Sequence, residues 1–291
     1  MNSDLRKLRF LILAVPAVLV SSSVKADEIR GDSADFVEDV REWISVSAFA
    51  EIQSAYLARG TVVNSEPFSA QFVNGDVKLG GFGRAGGYAW SVSALSHDGQ
   101  GAARRNAYNE VDYNLHYVYD LELTERLKLE NRVARQWVTL PGYRGRASTI
   151  CEWQTAQALH NPWVTPYWLL RHAERPVRWN YWNVGLKRSF ALSDDLAFTV
   201  NFFGELGDAD HFLSQYGEKP GEAGSRYHGG LQTLNLVFRF DYKLTDYLGV
   251  YAFAWQFDMV SEDARDAVKA SAAPEAKRDL TVFGAGLALN F

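Results

Sequence analysis

The sequence predicts an all-β protein, a closed antiparallel up-and-down transmembrane β-barrel of about twelve strands, with ten as the alternative count. Three observations carry that prediction. Apolar residues recur at every second position over long stretches. Aromatic residues make up 14% of the chain. Short and long polar connections alternate between the apolar stretches, as the periplasmic turns and extracellular loops of such barrels do.

The clearest strand is Val111 to Leu123. Val111, Tyr113, Leu115, Tyr117, Tyr119, Leu121 and Leu123 fall on one face, and Asp112, Asn114, His116, Val118, Asp120 and Glu122 on the other. Period two builds one apolar face on a strand, where helical geometry would scatter the same residues around an axis. The run suits a tilted membrane strand of about 9–11 residues with its ends. Similar faces read as Ile44, Val46, Ala48, Ala50, Ile52 and Tyr56; Tyr88, Trp90, Val92 and Ala94; and Leu196, Phe198, Val200 and Phe202. Further along come Leu234, Leu236, Phe238, Phe240 and Tyr242; Tyr251, Phe253, Trp255 and Phe257; and Phe283, Ala285, Leu287, Leu289 and Phe291. On this reading the sets face lipid, and aromatics near strand ends form girdles at the headgroups.

Three short turns resemble one another: Leu123 to Leu127, Leu192 to Leu196 and Leu244 to Leu248. Longer polar stretches at 97–109, 207–229 and 259–278 separate them. Ile150 to Leu159 and Val164 to His172, joined at His160-Asn161-Pro162, supply a strand pair that keeps all short turns on one side and gives twelve. Trp163, Tyr167, Trp168, Leu169 and Leu170 do not alternate cleanly, and dropping the pair gives ten. Both counts are even, as these barrels require.

Ahead of the barrel, Arg6, Lys7 and Arg9 precede an apolar run from Phe10 to Val20, then Ser21, Ser22, Ser23 and Val24-Lys25-Ala26. Residues 1–26 read as a secretory signal peptide. The apolar run is short of the roughly 20 residues of a helical span. No cysteine marks a lipoprotein site. Residues 27–42 read as a periplasmic N-terminal tail, with a small helix bearing Phe36, Val37 and Val40 in the barrel mouth as the alternative. Residues 43–291 are the barrel. Loss of residues 1–26 removes four basic and one acidic residue and moves the formal charge from -5 to -8. That balance argues against nucleic acid as a partner. The single cysteine, Cys151, allows no internal disulfide and no cysteine cage.

Candidate chemistry is sparse. Gly81-Phe82-Gly83-Arg84-Ala85-Gly86 has the letters of a dinucleotide loop, but Tyr88, Ala89 and Trp90 open a strand where that loop needs a helix N-terminus. It reads as a flexible glycine-rich turn. His97, His116, His160, His172, His211 and His228 show no metal-ligand spacing, so no metal and no cofactor are expected. A membrane-embedded lipid-modifying enzyme would need a Ser, a His and an orienting polar group near a rim. Ser91 and Ser93 are its candidate inward serines.

The inward parity carries mixed charge, and Glu51, Asp112, His116, Asp120, Lys128, Glu130, Arg132, Lys187, Arg239 and Asp241 are the pore-lining candidates. Lys or Arg facing lipid at mid-depth would cost roughly 2–4 kcal/mol. Two readings stand: charged rings around an aqueous pore, or a salt-bridged plug. Arg135 and Asn131 fall on the lipid parity, so their strand is expected to be bulged or buried against a partner.

Ser54-Ala55-Tyr56-Leu57-Ala58-Arg59-Gly60 resembles the Tyr-x-x-Arg-Gly segment of the TorF-like group of bacterial outer-membrane porins, with Ala55 where an acidic residue is expected. Pro166-Tyr167-Trp168 and Tyr181-Trp182-Asn183-Val184-Gly185-Leu186 resemble that group's paired central strands. Asn290-Phe291 resembles its terminal aromatic membrane-insertion signal, read by the barrel-assembly machinery. The resemblance implies an outer-membrane barrel of porin type with no substrate to carry over. On the matched positions Tyr56 would anchor at the membrane interface, Gly60 would permit a turn, and Arg59 would meet lipopolysaccharide phosphate or solvent. The expected function is a passive channel for small polar solutes, set among outer-membrane lipid and lipopolysaccharide in a bacterial outer membrane. The alternatives are the lipid-modifying enzyme, a closed structural or adhesive barrel whose outer loops bind a partner, and a soluble sheet sandwich with its aromatic face inside.

Overall fold

A backbone placed in lipid must satisfy its own hydrogen bonds, and a sheet does so only by closing. In the computed structural model, which describes residues 43–95, 108–139, 149–216, 227–270 and 278–291, the sheet closes. Its strands are β1 (Ile44–Gln53), β4 (Phe68–Lys78), β5 (Arg84–Ala94), β6 (Tyr108–Thr124), β7 (Leu127–Thr139), β8 (Thr149–His160), β9 (Thr165–Arg175), β10 (Trp179–Ala191), β11 (Leu196–Gly207), β12 (Gly230–Lys243), β13 (Leu248–Met259) and β14 (Asp279–Asn290). They form one closed barrel of twelve strands, and β2 (Tyr56–Ala58) pairs separately with β3 (Thr61–Asn64). The last strand returns to the first: Ala50 lies opposite Leu287, and Val46 and Phe291 exchange both backbone hydrogen bonds, at 2.8 and 2.7 Å. The signal peptide and the tail lie outside the described residues.

The three look-alike turns share a physical device. A hydroxyl at the turn's start accepts from backbone N–H groups two or three residues on, a local substitute for ladder bonds. Thr124 does this for Arg126, Ser193 for Asp195 and Leu196, and Thr245 for Tyr247 and Leu248. Asn161 plays the same part in the turn between β8 and β9, accepting from Trp163 and Val164, both at 3.0 Å. The doubtful strand pair is therefore present, and all these turns lie at one end. The glycine-rich segment is also a turn, between β4 and β5. A Cβ on Gly83 (φ 92°) would sit 2.3 Å from the carbonyl oxygen of Val118, so only glycine fits there.

The opposite end carries the long connections, and two of them are not simple polar loops. Helix α1 (Ala209–Tyr216) lies between β11 and β12, and α2 (Glu262–Ala270) between β13 and β14. Asp208 accepts from the His211 amide at 2.7 Å, and Ser261 Oγ from that of Ala264 at 3.3 Å. Each therefore satisfies a helix-start donor.

Facing follows the expected parity on most strands. Tyr113, Leu115, Val184, Leu186, Phe202, Phe238, Phe240, Phe283 and Leu287 point outward and are exposed, as a lipid-facing belt requires. Two strands are turned over. On β5, Trp90 lies opposite the inward Asp112 and Tyr88 opposite Asn114. On β13, Tyr251 lies opposite Asp241 and Phe253 opposite Arg239. These strands thus send small residues such as Ala89, Ala252 and Ala254 to the lipid side and their rings inward. The serine candidates move with them: Ser91 and Ser93 take the outward parity, and Ser91 Oγ donates to Gln71. Tyr56 leaves the first strand's apolar face altogether, because β1 ends at Gln53.

The strand bearing Arg135 and Asn131 is not bulged, since β7 and β8 pair without a shift from Lys128 to Thr139. Their outward polarity is satisfied sideways instead. Arg135 donates to Glu174 at 2.7 Å and lies 4.9 Å from the ring centroid of Trp153. Asn131 accepts from Gln157, which accepts from Trp168.

The facing assignment makes a quantitative demand. Leu115→Arg, on the lipid face near the middle of β6, is expected to lower folding stability in vesicles by about 2–4 kcal/mol. Lys187→Ala, on the inward parity, is expected to change it by less than about 0.5 kcal/mol. Reversible urea unfolding measures both, and equal effects would contradict the assignment.

Candidate functional site

The interior is organised by a segment that does not belong to the wall. β2 and β3 form a hairpin whose two-residue turn is Arg59-Gly60, both in left-handed conformation (φ 49° and 75°). That geometry matches the right-handed twist of paired strands and favours glycine. Gly60 is required for a second reason: a Cβ there would lie 2.6 Å from the Gln232 side chain. Arg59, lacking glycine's freedom, tolerates the conformation at a cost of order 1 kcal/mol, offset by what its side chain reaches.

That side chain reaches across the barrel. Arg59 Nη2 lies 3.3 Å from Glu152 Oε2, with the two side chains 8% and 0% exposed, and its guanidinium lies 5.8 Å from the Trp179 ring centroid. Tyr56 donates to Glu110 at 2.8 Å, and the Gly60 carbonyl accepts from Gln232 at 3.1 Å. The expected interfacial anchor and solvated arginine are therefore both wrong. Tyr56 and Arg59 lie inside, because the hairpin turns inward and two buried carboxylates receive it. Above it, Leu57 packs with Phe212, Tyr227, Phe257, Met259, Ala264, Ala267 and Val268 in one apolar cluster. The hairpin, α1 and α2 thus cap the loop end.

Below the cap lies a cavity of about 630 Å³. Phe49, Phe72, Tyr88 and Trp90 form one side, with Phe49 and Phe72 stacked at 4.9 Å and Phe72 to Tyr88 at 5.3 Å. Asp112, His116, Arg132 and Arg171 line it from β6, β7 and β9. His116 Nε2 is 2.6 Å from Asp76, and Gln136 donates to Asp112 at 2.7 Å.

Four of the ten sequence candidates, Asp112, His116, Glu130 and Arg132, line this cavity. The others sit around it. Arg84 pairs with Glu130 at 2.9 Å and Asp120 at 3.7 Å, and Lys128 pairs with Asp120 at 3.2 Å. Arg239 grips its strand neighbour Asp241 at 2.6 Å and lies 3.8 Å over Tyr251, which donates to Glu51 at 2.7 Å. Lys187 lies opposite Asn201 and is exposed. These pairs join residues of the same or nearby strands and lie along the wall. At 28–41% exposure they contrast with the sealed Arg59–Glu152 pair, so water reaches the interior from the short-turn end and stops at the hairpin.

Glu110, Glu152, Arg171, Tyr88 and Trp90 are absent from the sequence candidates. Glu110 continues the polar face of β6 and was within reach of the alternation. Glu152 and Arg171 sit on the strand pair whose pattern is irregular, and the two rings read as lipid-facing. Among the described residues no group of three His, Cys, Asp or Glu could hold a metal ion.

No family model matches this sequence, and no curated protein matches it. Solved structures do. An outer-membrane channel from Pseudomonas putida F1 aligns at a TM-score of 0.52 and 10% identity, over 86% of this chain and 96% of that one. The NanC porin aligns at 0.47 and 8%, over 84% and 98%, and the KdgM porin at 0.44 and 8%, over 85% and 99%. At such identities the first match shows a shared fold, a closed barrel of outer-membrane type.

The cap holds a histidine whose proton affinity depends on folding. His211 is fully buried in α1, its ring 5.0 Å from those of Trp179 and Tyr181. Burial, then the nearby Arg59 charge, pushes its pKa down to about 4. An unfolded histidine titrates near 6.5, so below that pH the unfolded cap binds the extra proton and the folded one resists it. The cap's stability is complete above about pH 6.5 and falls toward pH 4, by up to roughly 3 kcal/mol. With the intrinsic pH dependence of exchange divided out, the hydrogen-exchange protection of the α1 amides should fall over that window in wild type and much less in His211→Gln. Identical pH slopes in the two would refute this.

Proposed function

We propose that the chain is a porin-like passive channel for small polar solutes in the bacterial outer membrane, and that the inward hairpin is its constriction. The observation that carries this reading is the cavity. It is walled by charged and aromatic side chains, is wet from the short-turn end, and is limited at the loop end by the inward hairpin and the helices packed on it rather than by the wall itself. Water-filled barrels select solutes by such side-chain rings. Glu51, Asp112, His116, Asp120, Lys128, Glu130, Arg132, Lys187, Arg239 and Asp241 are the proposed lining, joined by Glu110 and Arg171.

The finer assignment, to the TorF-like porin group, is supported by Tyr56, Arg59 and Gly60. These matched positions form the hairpin's root and turn, so the motif coincides with the constriction. Residues 1–26 are proposed as the export signal. Phe291, whose backbone closes the barrel on Val46, is proposed as the insertion signal for the assembly machinery. The exposed outer belt is the proposed lipid contact, with lipopolysaccharide at the loop end. A closed structural barrel is the second reading, favoured by the burial of the Arg59–Glu152 pair.

Conductance separates the two. Refolded wild type in planar bilayers should give small stepwise currents, and a chain with residues 56–64 replaced by a short Gly-Ser linker should give clearly larger steps. Silence from both proteins, each shown to be folded, would leave the structural barrel.

A further inference from the structure

The lumen's cations are not equally matched. Arg84, Lys128 and Arg239 each have a carboxylate within 3.3 Å, and Arg59 has Glu152. Arg132 has none within 4.0 Å among the described residues. Its Nη2 donates to the side-chain oxygen of Asn114 at 3.3 Å and lies 3.5 Å from His116 Nδ1, and its Nε is buried without a hydrogen-bond partner. Arg171 is close to the same state. Its Nε is 4.0 Å from Glu152, a carboxylate already engaged by Arg59, and makes no hydrogen bond. Both arginines line the cavity. They lie on β7 and β9 with β8 between them: Arg132 is opposite Ala156, and Arg171 is opposite the next inward residue, Gln154.

A guanidinium offers five donors in a planar fork, and leaving them unused in a confined site is costly. The cavity's carboxylates are engaged elsewhere, and among the described residues none of the five lies within 4.0 Å of either arginine. Asp76 takes His116 and Asn74; Glu130 takes Arg84; Glu205 takes Tyr181, Thr233 and Asn235; Glu110 takes Tyr56; Asp112 takes Gln136. An apolar path begins at the same place. The Arg132 guanidinium lies 5.8 Å from the Tyr88 ring centroid, and Tyr88 is followed by Phe72 and Phe49 in ring contact.

We propose that Arg132 and Arg171 form an anion-binding step in the lumen that takes the carboxylate of a small ring-bearing organic acid, whose ring lies on Tyr88 and Phe72. This rests on the channel reading only for how the solute arrives. Carboxylate acceptors meet arginine's fork in two parallel bonds, and the flat rings favour a flat apolar partner.

The test uses the full chain folded in detergent, with benzoate as probe and benzamide as its uncharged counterpart, by titration calorimetry. Benzoate should bind saturably, and benzamide about tenfold more weakly or worse, as loss of a charge-assisted contact implies. Arg132→Gln and Arg171→Gln should each weaken benzoate by about tenfold or more, with benzamide unaffected. Arg132→Lys should recover part of the loss. Equal binding of the two probes to wild type overturns the site even if the variants fail to fold, and so do glutamine variants that keep wild-type affinity for benzoate. Benzoate binding by a protein that passes no current upholds the site and removes the channel. Current without benzoate binding removes the site alone.

Discussion

The closure of β14 onto β1 is the constraint on which the rest depends. A sheet with free edges exposes a row of unpaired backbone groups, each costing several kcal/mol in hydrocarbon. Closure removes both edges, and the terminal Phe291 completes it through its exchange with Val46. Once the wall is continuous, every strand has one lipid face and one interior face. A residue's place then follows from its parity and its register with its neighbours. The mixed charges of β6 and β7 are tolerable because the wall separates them from lipid.

Inside, two kinds of pairing divide the labour. Pairs such as Lys128–Asp120 and Arg239–Asp241 are partly hydrated and contribute little energy each; they leave the centre open. The Arg59–Glu152 pair is sealed, so breaking it by removing one partner would strand a buried charge. It holds a strained hairpin across the lumen, with an apolar cap above. The loop end is therefore ordered by burial and the short-turn end by hydration, an asymmetry well suited to a constriction with a wet vestibule below.

Most of the wall was legible because a strand's period of two is simple. The Val111–Leu123 run declared both faces, and the likeness of three short turns put them all at one end. The failures have a common cause. Hydrophobicity marks a face as different from its partner and does not say which side is wet. On β5 and β13 the rings of Tyr88, Trp90, Tyr251 and Phe253 face a lumen they help to fill, and alanines suffice for lipid. Arg59 was misplaced for a related reason, since a motif in a loop carries no information about whether the loop turns in or out. Only the partners, Glu110, Glu152 and Gln232, settle it, and they are distant in the chain. Arg171 was lost because β9 carries large apolar side chains on both parities, Tyr167 and Leu169 on its own face and Trp168 and Leu170 on the other.

The sidedness of β5 is the most direct measure of this account, because alternation alone points the other way. Single cysteines at positions 88, 89 and 90, in a chain with Cys151→Ser, can be challenged in vesicles with a small charged thiol reagent and with a lipid-soluble maleimide. The account predicts that positions 88 and 90 react with the charged reagent and position 89 with the lipid-soluble one. The reverse pattern, or no alternation at all, would contradict a lumen walled by aromatic rings.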